Sequence, residues 1–202
     1  MKLRLLLLLL FYVNIAFAHQ PDLSNLMIYE QNGKKVLVLK SSLTAFEGEV
    51  DFHFKKGAFK SPEEFTELAI KHFTANCFVI VNGDSIELIN PRVILGHETT
   101  IFALLEKMPN EIESIFLKNT FFKDIHNNQC EFIMMLKDKP QYQYILNTDN
   151  KQEIALAFEN NKWMVVENKD SRLKVMYVFI GGVLLLIIGL VVFKRIKKNS
   201  AS

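Results

Sequence analysis

Two cysteines, one tryptophan, five prolines and eight glycines are all that 202 residues contain of these types. Neither cysteine belongs to a CxxC pair or lies beside a basic helix start, so redox or nucleophilic thiol chemistry lacks its physical cause. No Pro, Gly or Ser tract, repeat or low-complexity block interrupts Gln20 to Lys169, which excludes beads on a linker and implies one continuous domain. A GxSxG elbow, an HExxH helix, a paired-acid motif and a Gly-rich phosphate loop are all missing, and the chain reads as a non-enzyme. Basic excess is missing too. Between His19 and Lys174, 18 Lys and Arg stand against 22 Asp and Glu, a net −4 that argues against a nucleic-acid surface.

What is present at the two ends concerns location. Lys2 and Arg4 precede an apolar core of Leu5 to Leu10 and Phe11 to Val13, and Ala16-Phe17-Ala18 places small residues at the −3 and −1 positions of a cleavage site. Residues 1–18 therefore read as a signal peptide cleaved before His19. At the other end, Val175 to Phe193 is an uncharged, mostly Val, Ile and Leu run, about 28 Å long as a helix at ~1.5 Å per residue. Its apolar residues surround the helix, and Lys194, Arg195, Lys197 and Lys198 follow it directly. The positive-inside bias keeps such a cluster cytoplasmic. The expectation is a single-pass protein spanning the lipid bilayer, with residues 19–168 exported, 169–174 a stalk, 175–193 the span and 194–202 a basic tail.

The body shows period-two alternation rich in β-branched and aromatic residues: Leu26 to Tyr29, Val36 to Leu39, Val50 to Phe54, Phe78 to Val81, Ile86 to Ile89, Thr100 to Leu105, Ile112 to Leu117, Glu131 to Leu136, Gln141 to Leu146, Ile154 to Phe158 and Trp163 to Val166. Asn32-Gly33, Asn82-Gly83 and Asn160-Asn161 tolerate positive φ and mark hairpins, so pairing should be largely antiparallel. Ser61-Pro62-Glu63-Glu64 reads as an N-cap, a first-turn proline and a capping-box acid, opening a helix whose Phe65, Leu68, Ala69, His72 and Phe73 share one face. The expected fold is mainly β: an antiparallel immunoglobulin-like β-sandwich with one inserted helix.

Cys77 and Cys130 open strand-like runs in an exported chain, which permits either one disulfide or two buried thiols. A bridge closing about fifty residues would contribute ~4 kcal/mol in the chain-entropy view. His19, once terminal, combines an α-amine with an imidazole and so offers copper or nickel two nitrogens, with His53, His97 or His126 as a third ligand. The alternative is that His19 merely begins a flexible arm. Alternation places His53 on a solvent face beside Asp51 and Lys55, His72 at a core edge, and His97 and His126 in turns. Tyr142, Tyr144 and Trp163 offer an aromatic stripe that packs better as core than as a binding face.

A signal peptide ending in Ala-His, two early hairpin strands, a helix before Cys77-Phe78-Val79-Ile80-Val81-Asn82-Gly83, and the later His126-Asn127-Asn128-Gln129-Cys130-Glu131-Phe132-Ile133 followed by Tyr144-Ile145-Leu146 form a pattern. It resembles the exported N-terminal domains of hydrogenase and urease accessory-type membrane proteins. It is also similar to small exported Bacteroidetes proteins of unknown function. The resemblance implies a bacterial envelope domain that senses or binds metal, with His19 the one position carried over. The accessory proteins continue into several membrane helices, whereas this chain offers one span.

Many Asn residues with no N-x-Ser/Thr acceptor favour a bacterial source, hence an inner-membrane protein with a periplasmic body. The expected function is a membrane-anchored interaction module for another envelope protein, with copper or nickel handling and an enzyme of unrecognised site as the alternatives.

Overall fold

A computed structural model describes residues 23–166. The elements follow the order β1 (Leu23–Gln31), β2 (Lys34–Ser42), α1 (Leu43–Phe54), α2 (Pro62–Asn76), β3 (Cys77–Val81), β4 (Asp84–Ile94), β5 (Glu98–Glu106), β6 (Ser114–Asn119), β7 (Gln129–Met135), β8 (Tyr142–Leu146), β9 (Glu153–Glu159) and β10 (Lys162–Val165). The signal-peptide, stalk, span and tail expectations lie outside the described residues. Among the described residues no helix is long and apolar enough to cross a membrane.

The chain is mainly β, but not as the two stacked sheets of an immunoglobulin-like sandwich. All ten strands belong to one sheet, ordered β10-β9-β6-β3-β4-β5-β2-β1-β7-β8. Every neighbouring pair is antiparallel except β1 with β7, which run parallel. Strand β4 makes the sheet continuous. Its first residues pair with β3 and its remainder with β5, and the register breaks between Ile89 and Arg92. Pro91 lies inside that break, where a residue without an N–H costs no ladder bond, and Asn90 takes φ 49°. The sheet then curls until its ends meet. The Trp163 indole N–H donates to the Pro140 carbonyl at 3.1 Å, and the Lys139 ammonium sits 3.5 Å above the centre of the Phe158 ring. Trp163 is buried and Tyr142 and Tyr144 pack against the core, as the sequence suggested.

The hairpin signals act as their chemistry dictates: Asn32, Gly33, Asn82, Gly83, Asn160 and Asn161 all adopt positive φ. Asn82 does more than turn the chain. Its Oδ1 accepts from the Glu113 and Ser114 amides at 2.8 and 3.1 Å, and its Nδ2 donates to the Glu111 carbonyl at 2.9 Å. Asn82→Ala loses these bonds and strains a left-handed residue, and is expected to cost about 1–3 kcal/mol by urea unfolding.

Helix α2 starts as read, with Ser61 Oγ accepting from the Glu64 amide at 3.3 Å and Glu64 Oε2 accepting from the Lys60 amide at 2.7 Å. Its buried residues are Phe65, Ala69, His72 and Phe73. A second helix corrects the expectation of a single one. The Val50 to Phe54 segment expected as a strand is the end of α1, capped by Ser42 Oγ accepting from the Ala45 amide at 3.2 Å. Ala45, Phe46, Glu49 and Val50 bury at helical spacing, while Phe52 stays 71% exposed. Both helices lie on the concave side of the sheet among Leu26, Ile28, Leu37, Leu39, Ile101 and Phe132, all fully buried.

Candidate functional site

Helix periodicity places Glu49 and His53 on one face of α1, four residues apart. Opposite them stands His72 of α2. The third contributor is the connection from β6 to β7, where successive turns (Lys123 N to Thr120 O, Ile125 N to Phe122 O, Asn128 N to Ile125 O) hold Asp124 outward and bury Phe121 and Phe122. Phe46 packs edge-on against both of these rings at 5.1 and 5.0 Å, fixing α1 to the turns.

The polar atoms converge. His53 Nε2 lies 3.0 Å from Asp124 Oδ2 and 3.3 Å from Glu49 Oε2, and His72 Nε2 lies 3.8 Å from the same Glu49 oxygen. The ligand atoms of Glu49, His53 and His72 are all within 4.8 Å of one another. The two imidazoles stack with centres 4.3 Å apart. Glu49 is 2% exposed, and its Oε2 has no hydrogen-bond partner. Burial first, then the neighbouring Asp124, pushes its carboxyl up to about 7, with Lys123 pulling the other way.

His72 is held in one tautomer. Asn76 Nδ2 donates to the His72 carbonyl at 2.9 Å and faces His72 Nδ1 at 3.1 Å, so Nδ1 accepts, and Nε2 carries the proton to the Phe121 carbonyl at 3.0 Å. Burial holds its pKa below the usual imidazole range, against the opposing pull of the Phe121 carbonyl hydrogen bond. The cluster thus offers two carboxylates and the His53 imidazole, whose Nε2 is in hydrogen-bond contact with Asp124 Oδ2, a set suited to holding a cation or a proton.

A consequence for the metal-free protein follows from the Glu49 shift. The folded-state value of about 7 lies above the ordinary 4.5, so the native state favours the protonated form. The resulting stability is fully present below 4.5 and is lost as pH rises through about 7. With chelator present, Glu49→Gln should raise the melting temperature above pH 7 and leave it nearly unchanged near pH 4.5.

Of the residues singled out in the sequence, His19 and the basic cluster of Lys194, Arg195, Lys197 and Lys198 lie outside the described residues. His53 does enter a ligand cluster, though from a helix rather than a strand face. His97 and His126 are exposed in separate turns and enter no ligand cluster among the described residues. The disulfide expectation is corrected: Cys77 and Cys130 are buried free thiols. Cys130 Sγ accepts from Asn119 Nδ2 at 3.4 Å, and burial pushes both thiols up, Cys130 to about 11. Sequence reading missed Glu49 and Asp124. The Glu-x-x-x-His spacing was visible, but only to a reader who had recognised a helix there.

A second feature lies on the convex face of the sheet. Cross-strand register aligns Ile133, Met27, Val38 and Phe102 in one row and Met135, Tyr29, Val36 and Leu104 in the next. Polar rows flank them, one carrying Glu131, Asn25, Lys40 and Thr100 and the other Gln31 and Lys34. A groove of about 510 Å³ runs over Val36 and Val38 between Tyr29, Phe102, Leu104 and Ile94. On the same face of the other half of the sheet, the Lys118–Glu153 ion pair at 2.8 Å interrupts the apolar side chains. The sequence matches no protein-family model and no curated protein, so these two features carry the functional reading.

Proposed function

We propose that this chain is a membrane-tethered binding module of the bacterial envelope, exported by residues 1–18, anchored by Val175 to Phe193, and docking another envelope protein through the convex face of β7, β1, β2 and β5. One observation carries this reading: eight apolar side chains in two adjacent rows on the face opposite the helices. An antiparallel sheet with one wet face ordinarily alternates apolar inward and polar outward. Here β2 is apolar on both sides: Leu37 and Leu39 are fully buried under the helices, and Val36 and Val38, on the opposite face by strand alternation, lie largely buried at the floor of the groove. Contiguous apolar surface rimmed by polar residues is the signature of a protein contact. The test is photo-crosslinking in intact cells. A crosslinker at Tyr29 or Ile94 should capture a discrete adduct absent with one at Phe78 or Met164, exposed apolar positions away from the groove. Equal capture from all four sites would sink the reading.

A further inference from the structure

The cluster of Glu49, His53 and Asp124 lies on the helix side of the sheet and takes no part in that docking face. We propose that Glu49, His53 and Asp124 form a binding site for a divalent first-row transition cation, with zinc as the working probe. Three observations support it.

The first is geometry. Bonds of about 2.0–2.1 Å to imidazole nitrogen or carboxylate oxygen around a tetrahedral ion set neighbouring ligand atoms about 3.3–3.4 Å apart. The separations from His53 Nε2 are 3.3 Å to Glu49 Oε2 and 3.0 Å to Asp124 Oδ2, each close to that spacing, and an ion held by all three requires the Asp124 carboxylate on its exposed turn to swing toward Glu49. His72 is not one of the ligands, because its Nε2 proton is committed to the Phe121 carbonyl. It stacks on the His53 ring instead and holds that ring's direction.

The second is the unused oxygen. Glu49 Oε2 is buried without a hydrogen bond, and a second carboxylate stands close by. Such an arrangement destabilises a fold that has nothing to place between the charges. A dication supplies what the protein lacks.

The third is access with a suitable donor set. The His53 and Asp124 side chains are 27% and 32% exposed, giving an ion a route from solvent to the buried Glu49 oxygen. One imidazole with two carboxylates suits borderline cations. The absence of thiolate and thioether ligands disfavours Cu(I), and three ligands are too few for calcium, which takes six to eight oxygens. Three protein ligands also leave a coordination position open to water or an exogenous group.

The experiment uses the full-length chain in detergent, stripped with chelator and titrated calorimetrically with zinc sulfate. One equivalent should bind and raise the melting temperature. Asp124→Asn, an isosteric change on an accessible turn, should weaken binding at least about tenfold to a hundredfold, as should Glu49→Gln and His53→Ala. His19→Ala, His97→Ala and His126→Ala should leave it unchanged. Glu49→Gln carries a second readout: above pH 7 its melting temperature without metal should exceed the wild type's, while the zinc-induced rise disappears. A purely structural residue would lower stability instead. Absence of a zinc-induced rise in the wild type, binding that survives Asp124→Asn and Glu49→Gln, or binding lost with His19→Ala would each overturn the proposal.

Discussion

Phe46→Ala is expected to cost about 3–5 kcal/mol. Phe46 is fully buried, and truncation would leave a cavity bounded by Phe121 and Phe122, whose rings stand 5.1 and 5.0 Å away. These rings belong to the turn that presents Asp124, so the cavity also loosens the link between α1 and the candidate cation site. Against a typical net stability of about 5–15 kcal/mol, the loss is a large share of the fold. Urea unfolding should show a much lower midpoint at nearly unchanged slope. Phe52→Ala on the same helix supplies the contrast. Its side chain is 71% exposed, and the change should stay within about 0.5 kcal/mol. Had residues 50–54 been the strand their alternation suggests, Phe52 would point with Phe54 into the core and its loss would be severe.

Phe102→Lys is expected to abolish partner capture while sparing the fold. Phe102 sits in the apolar row between Val38 and Arg92 on the convex face and is half-buried, so losing its contacts should cost about 1–2 kcal/mol. A lysine stem can lie along the neighbouring apolar surface and keep its ammonium in water. A docked partner removes that water, and an unpaired charge in the middle of the contact should reduce crosslinking from Tyr29 at least about tenfold. Equal urea midpoints for the variant and a control such as Lys40→Ala are not required. The criterion is that capture falls far more than stability does.

Much of the fold was legible because its signals are local. The Asn-Gly and Asn-Asn turns require positive φ, and Ser61-Pro62 combines a side-chain acceptor with a preset φ; each acts within four residues of itself. Helix α1 was hidden for an equally local reason. Its first turn has no acidic residue, Gly48 interrupts it, and Val50-Asp51-Phe52-His53-Phe54 alternates like a strand. Burial of Phe46 and Val50 against the sheet, a tertiary effect, decides the outcome over pattern. Sheet closure was illegible because it depends on Trp163 reaching Pro140 across 23 residues. The same holds for the cation site: His53 and Asp124 are 71 residues apart, and only the shared packing of Phe46, Phe121 and Phe122 brings them together. The cysteines were ambiguous in sequence and are two buried thiols in the fold, Cys130 bonded by Asn119.

The most direct test of the docking face is a crosslinker placed in turn at Asn25, Met27, Tyr29 and Gln31 of β1, four positions that share the convex face. Capture of one discrete partner from Met27 and Tyr29, falling off at Asn25 and Gln31 in the polar rows, is the predicted result. Uniform capture along the strand, or none at Met27 and Tyr29, would contradict it.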